Sequence, residues 1–368
     1  MPNRLHFIDN LRVFTIFIVV LVHSAVTYSC IGSWYYTEHA HLGNMEQLVF
    51  LLFQSHAQAF NMSLFFFIAG YFVPSSLVRK GTGKFISGRL YRLGIPVLFY
   101  IFVLQPLCVK LANPQINISE FYLNGLKHFT FPGWTGPLWF ALVLLCFSII
   151  YAVFVRFLPQ TNESNKLNTS KLLAIIAVIT VAAFLIRLVA PIGTSFMNLQ
   201  FCFFAAYIVM FLLGTKAGRH HLIGKISNRM GYCWLIAAFV IGLPLWMTPW
   251  LGGNVPGPKM QIFGGINLPA FLYALWESFF CVAFIVALLG ITQAKFNRQG
   301  RWMKFFSDNA FGIYVFHAPV LISVSLLLKE VHIDPFAKFL IAGTTTIAFT
   351  TCMSWVIRKI PVAGRIFD

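Results

Sequence analysis

The chain has 368 residues, 58% of them hydrophobic and only 10% charged, and its mean hydropathy is +0.77. Ordinary globular chains run at roughly 45–50% apolar and about 25% charged, so a soluble surface and a disordered chain are both excluded, and the class is an all-α polytopic membrane bundle. The formal net charge of +17 does not indicate nucleic-acid binding, because Lys and Arg recur in short clusters between apolar runs rather than on one solvated face. The seven cysteines are scattered, and no CxxC or Cys/His spacing suggests a metal site.

Ten spans are predicted, at roughly 12–29, 58–78, 93–112, 137–157, 172–190, 196–214, 231–248, 266–292, 309–328 and 338–357. Each is near the ~20 residues that cross ~30 Å of hydrocarbon. Together they form one membrane-embedded domain over residues 1–368. Span one carries His23, lacks a small-residue cleavage site and is not read as a cleavable leader. His23 follows Arg12 by eleven residues, roughly 16 Å along a helix and nearly on the same face. Asp9, three residues before Arg12, is placed to hold its guanidinium.

The stretch 45–57 contains Gln54, Ser55 and His56 and reads as an interfacial segment feeding span two. Span two holds Phe65 to Phe72, an aromatic wall in which Gly70 permits close helix contact and which ends at Tyr71 and Phe72. A basic cluster follows, in which Arg89 and Arg92 are three apart and can share a helix face. Such a pair can grip a phosphate, as in coenzyme A, or simply anchor the span. Pro96, Pro106, Pro191, Pro244 and Pro269 are expected to kink spans.

Span four opens with Trp134 to Phe140, where Trp139 is an interfacial anchor or a platform for a sugar ring. Span eight contains Glu277, the one acid placed inside a predicted span, with Arg187 and His23 as alternative partners. Span nine contains His317, with Tyr314 three residues earlier on its face and Pro319 loosening the backbone. Summing Lys and Arg over alternate loops with the N-terminus inside gives 21 inner against 6 outer, so the expected orientation is N-in and C-in.

These residues resemble the acyltransferase-3 family of integral-membrane acyltransferases. The resemblance rests on Phe7-Ile8-Asp9-Asn10-Leu11-Arg12 followed by Val22-His23-Ser24, on Phe65 to Tyr71, and on Arg89-Leu90-Tyr91-Arg92 with Ile95-Pro96. It continues in Leu138-Trp139-Phe140 and in Tyr314 and His317 followed by Pro319, so it spans nearly the whole chain in order. The glucan-modifying branch is the most similar. The chain departs from the family in having Ala69 where Ser is common, and it has no fused extracytoplasmic hydrolase-like domain.

The resemblance implies an O-acyltransferase that moves an acetyl or succinyl group from cytoplasmic acyl-CoA to a hydroxyl of an extracytoplasmic glycan or lipid-linked sugar. It implies a bacterial inner membrane as the location, acyl-CoA as a co-substrate rather than a bound cofactor, and no metal. On this reading Arg89 and Arg92 hold the CoA phosphates. His23 acts as general base or transient acyl carrier, and Arg12 orients the thioester or stabilises developing negative charge. Glu277, Tyr314 and His317 line the channel, with Asp9, Tyr71 and Trp139 beside it. The competing reading is a secondary transporter or flippase that uses the buried His, Arg and Glu as a proton or anion pathway. It would show paired broken helices and internal symmetry, and the sequence shows neither.

Overall fold

In the computed structural model the described residues are 5–38, 42–155, 168–220, 222–250 and 261–361, with 364 and 366. Among them every extended element is a helix, and the only bridge is the isolated Phe196–Leu199 pair. Among the described residues, ten helices are long and apolar enough to cross a membrane. They are α1 (His6–Ser29), α2 (Asn44–Lys80), α3 (Thr82–Ala112), α4 (Gly136–Phe154), α5 (Thr169–Val189), α6 (Phe201–His220), α7 (Asn228–Met247), α8 (Leu268–Lys295), α9 (Arg301–Leu327) and α10 (Pro335–Ile357). A short surface helix, Ile118–Lys127, lies between α3 and α4. Of the cations summed above, Arg4, Arg156, Lys166, Lys259 and Arg365 lie outside the described residues.

The largest departure from the sequence reading is α2. The expected interfacial segment at 45–57 is continuous with span two in one helix of 37 residues, roughly 55 Å long. Its polar residues do not interrupt it, because they bond locally. Ser55 Oγ donates to the Leu52 carbonyl (3.2 Å), His56 Nδ1 pairs with the same carbonyl (2.8 Å), and Gln54 Nε2 donates to Ser29 Oγ at the end of α1 (2.8 Å).

Helix α3 begins at Thr82, eleven residues before the expected start, and so contains Arg89 and Arg92. It widens to π-helix at Leu90–Gly94 and again at Tyr100–Leu104. Pro96 and Pro106 each directly follow an i→i−5 bond, from Ile95 N–H to the Leu90 carbonyl and from Gln105 N–H to the Tyr100 carbonyl. A proline clashes with the carbonyl four residues back, and the wider turn moves that carbonyl aside. The other expected kinks divide. Helix α7 breaks at Ile241 before Gly242–Met247, which contains Pro244. Pro191 follows the end of α5, and Pro269 lies in the first turn of α8, where no interior bond is lost. Pro319 sits inside the unbroken α9.

By backbone contacts the chain divides into two compact units. Unit one is Met1–Leu11, Gln58–Ile86 and Phe147–Gln299; unit two is Arg12–Ala57, Ser87–Cys146 and Gly300–Asp368. In unit one, α2 and α6 cross at backbone contact. A Cβ on Gly70 would lie 2.4 Å from the Phe211 carbonyl oxygen, and one on Gly214 would lie 2.2 Å from that of Phe67. Small residues at a crossing let apolar helices associate by packing alone, because lipid supplies no hydrophobic drive between them. Asn10 clamps the start of α1 to the end of unit one by donating to the carbonyls of Phe296 (2.8 Å) and Arg298 (3.0 Å). In unit two, Ser24 Oγ donates to the Phe339 carbonyl (2.7 Å), and a core of Ala25, Tyr28, Phe50, Leu321, Phe339 and Ala342 joins α1, α2, α9 and α10.

Gly214→Leu is expected to lower the thermal midpoint of the detergent-purified protein, in line with overpacking costs of about 1–3 kcal/mol. Gly83→Ala, where a Cβ meets nothing within 4 Å, is the control and should leave the midpoint unchanged. Equal midpoints for all three proteins would contradict the crossing.

Candidate active site

His23 and His317 meet inside unit two. Their rings stack with centroids 5.3 Å apart and planes 19° apart. Helix α1 carries His23 six residues before its C-terminal end, about 9 Å along the axis. Helix α9 carries His317, fully buried. His317 Nδ1 lies 2.7 Å from the Tyr314 carbonyl. A carbonyl only accepts, so the proton sits on Nδ1. Nε2 is then the free nitrogen, and it is buried without a hydrogen-bond partner. Tyr314 stacks beside His317 (6.2 Å), donates its hydroxyl to the Pro137 carbonyl and packs edge-on against Phe140 (6.2 Å). This draws the first turn of α4, with the half-buried Trp139, alongside the histidine helix. Trp134 is occupied differently: its ring stacks on Phe121 (4.2 Å) over Gly125.

His23 also stacks with Trp34, a residue the sequence did not single out, whose ring lies 6.3 Å from that of His317 as well. The His23 and Trp34 rings stack at 3.9 Å and 19°. Trp34 belongs to the segment after α1, which folds back over the helix end. Cys30 takes a positive φ of 56°, Gly32 one of 107°, and Glu38 N–H donates to the Thr27 carbonyl (2.8 Å). Glu38 is also ion-paired with the buried Lys338 of α10, which fixes the segment to unit two. Tyr35, next in sequence, donates to Gln105 Oε1 and lies 3.2 Å from the Tyr100 hydroxyl, both on α3. Burial pushes the Tyr35 phenol up, so it keeps its proton to donate. Tyr35 and Tyr100 crowd Gly136, where a Cβ would fall 2.4 Å from the Tyr100 ring and 2.5 Å from the Tyr35 oxygen. The indole Nε1 of Trp34 is buried and has no acceptor. An aromatic run in a loop was the available signal, but the sequence does not show that the loop turns inward.

Arg89 and Arg92 lie in unit two, where Arg89 is within electrostatic reach of both Arg12 and Arg92. Arg12 and Arg89 are half-buried and Arg92 is exposed, and Arg89 has two like charges near it at the start of this unit. Arg12 and His23 share helix α1, so this cluster and the ring stack are separated by roughly 16 Å along one helix.

The remaining candidates belong to unit one. Of the two partners left open for Glu277, the structure selects Arg187 and not His23. The guanidinium is fully buried and lies over the rings of Phe203 (5.6 Å) and Tyr273 (5.7 Å). The pair ties α5 to α8 in an apolar bundle, where an unpaired charge is costly. Asp9 sits in the first turn of α1, and Tyr71 packs edge-on against Phe72 (5.1 Å), its carbonyl against Gly218. Among the described residues no group of three or more His, Cys, Asp or Glu could hold a metal.

Glu277→Gln leaves a buried unpaired guanidinium and should cost about 3–5 kcal/mol in denaturation of the purified protein. The double variant Arg187→Met/Glu277→Met should recover much of that loss. A single variant as stable as wild type would show that the pair does not anchor these helices.

Residues 5–357 match the profile of a family described as an acyltransferase domain. Curated relatives include the glucans biosynthesis protein C of Escherichia coli O157:H7 (strain EC4115 / EHEC) and that of Escherichia coli (strain K12). Each is 24% identical over 396 aligned residues, covering 93% of this chain and 95% of the relative. No solved structure matches. Ten apolar helices and a profile match over nearly the whole chain lead to one conclusion: the protein belongs to the acyltransferase-3 family and is an integral-membrane acyltransferase.

Proposed function

We propose that the enzyme transfers an acyl group, acetyl or succinyl, from cytoplasmic acyl-CoA to a hydroxyl of an extracytoplasmic or membrane-linked glycan. The single observation that carries this reading is the spacing between the arginine cluster and the histidine stack. From the inner phosphate to the sulfur, a pantetheine arm has about thirteen bonds and reaches roughly 16 Å. The separation of Arg12 from His23 is the same, roughly 16 Å over eleven helical residues. Phosphates held at Arg89, Arg92 and Arg12 therefore deliver the thioester to His23. This gives Arg12 a phosphate-binding role in place of contact with the thioester. The glycan acceptor is supported by the relatives' name, glucans biosynthesis protein C. The 21 to 6 excess of inner cations supports N-in and C-in in a bacterial inner membrane, with the cluster facing the cytoplasm.

The chemistry then follows from the side chains. His23 takes the proton of the acceptor hydroxyl as its oxygen attacks the thioester carbonyl and the C–O bond forms. The C–S bond breaks on collapse, and the proton held by His23 goes to the departing CoA thiolate. His317 stacks beneath His23 and holds the ring in place, with its Nδ1 proton pinned to the Tyr314 carbonyl. Trp34 Nε1–H is the unfilled donor beside His23 and meets the developing oxyanion. Glu277 remains the partner of Arg187 and supports the bundle.

The test is release of free CoA from acetyl-CoA and succinyl-CoA by the protein in nanodiscs, with candidate glucans as acceptors. His23→Ala should lower kcat by about 10²–10⁴-fold. Trp34→Phe keeps the stack but removes the donor, and should lower kcat by about 10²–10³-fold with little change in KM. Arg89→Ala/Arg92→Ala should act chiefly on the KM for acyl-CoA. Wild-type turnover that survives His23→Ala, or CoA binding indifferent to both arginines, would overturn the proposal.

A further inference from the structure

Unit one contains an apolar groove that no part of the proposed reaction uses. It is lined by Phe67 of α2, Leu172 of α5, Ala217 of α6, Ile223 and Ile226 of the following turn, and Val286 of α8, with no polar side chain among its lining residues. Its volume is about 70 Å³, well below the roughly 300–1,000 Å³ of clefts that enclose a drug-sized ligand, so it is a narrow slot with room for part of one hydrocarbon chain. Along α6 it runs from Met210 to Ala217, and along α8 from Val282 to Leu289, about 10 Å in each case. Most of the lining residues are buried, so the groove enters the bundle. The backbones pack closely at one end of it: a Cβ on Gly290 would lie 3.0 Å from the Ser227 carbonyl oxygen and 3.1 Å from Ile226.

That same end is strongly basic. Lys171 immediately precedes Leu172, and Arg219 follows Ala217 by two residues. Lys225 immediately precedes Ile226, and Arg229 opens α7. All four are exposed. Helices α5, α6 and α7, the turn at 222–226 and the Gln58–Lys80 part of α2 carry no acid, and the one acid of α8 is paired with Arg187. A hydrocarbon-lined groove with cations at its mouth is complementary to a molecule with an apolar chain and an anionic head. In a bilayer the abundant molecule of that kind is an anionic phospholipid.

We propose that this groove is a binding site for part of one acyl chain of an anionic glycerophospholipid, with the phosphate of the headgroup held by Lys225 and Arg229. The site is independent of the acyl-transfer reading and makes no use of its residues. Native mass spectrometry of the detergent-purified protein with added phosphatidylglycerol or phosphatidylcholine tests it. Wild type should retain phosphatidylglycerol in preference to phosphatidylcholine. Ala217→Phe, which fills the groove, should lower that occupancy at least tenfold. Lys225→Gln/Arg229→Gln should abolish the preference while leaving the chain site. Where Ala217→Phe fails to fold, wild type is labelled instead with phosphatidylglycerol carrying a photoreactive acyl terminus. Label should then fall on Phe67 or within 172–175, 210–217, 222–226 or 282–289. Equal retention of both lipids, unchanged occupancy in Ala217→Phe, a bound lipid whose mass is that of a prenyl phosphate, or label confined to other helices would each overturn the proposal.

Discussion

The site depends on one stack of rings. An imidazole placed in an apolar bundle has two nitrogens that need partners and two faces that need contact. His23 has two ring neighbours, Trp34 at 3.9 Å and His317 at 5.3 Å, which lie 6.3 Å from each other, so the three rings form one cluster. His317 is held because its Nδ1 is pinned to the Tyr314 carbonyl and Tyr314 to the Pro137 carbonyl. Trp34 is held because its segment is tethered by the Glu38–Lys338 ion pair and by Tyr35. The general base proposed for His23 needs its ring orientation fixed before substrate arrives, so that none of the binding energy is used to order it. These contacts hold the ring from α9 and from the segment that follows α1.

The polar groups that membrane burial makes expensive are divided between the two units in different ways. In unit one the buried charges cancel: Arg187 faces Glu277, and aromatic rings cover the guanidinium. In unit two, Arg89 has the like charges of Arg12 and Arg92 near it, and Arg92 lies in the π-turn that precedes Pro96. Cancelled charge suits a scaffold, whereas gathered positive charge suits the binding of an anion. The contrast fits the phosphate site proposed in unit two and a supporting role for the ion pair in unit one.

Much of this was legible in the sequence because the membrane leaves few options. Ten apolar runs of the required length give ten helices, and all ten were placed, since a helix is how an isolated apolar segment meets its own hydrogen bonds in lipid. His23, His317, Arg89 and Arg92 stood out because ionisable residues are rare in such runs. Gly70 was legible as a contact for the same reason, since small residues matter where backbones touch. Long-range pairing was not legible. Period and spacing relate Arg12 to His23 on one helix, but nothing local says that Glu277 faces Arg187 or that His317 stacks on His23. Trp34 was missed because a tryptophan after a span looks like an interfacial anchor. Only the reversal at Cys30 and Gly32 turns it inward. The continuous α2 was missed because Gln54, Ser55 and His56 read as a break, whereas each finds a partner within the fold.

The central claim is that a thioester held by Arg89, Arg92 and Arg12 arrives at His23 beside Trp34 and His317. A structure of the protein in nanodiscs with a non-hydrolysable acyl-CoA analogue tests it most directly. The account predicts phosphates at the three arginines and the carbonyl that replaces the thioester within about 3–3.5 Å of the His23 ring. An analogue bound with its acyl end away from His23, or with its phosphates on other residues, would contradict it.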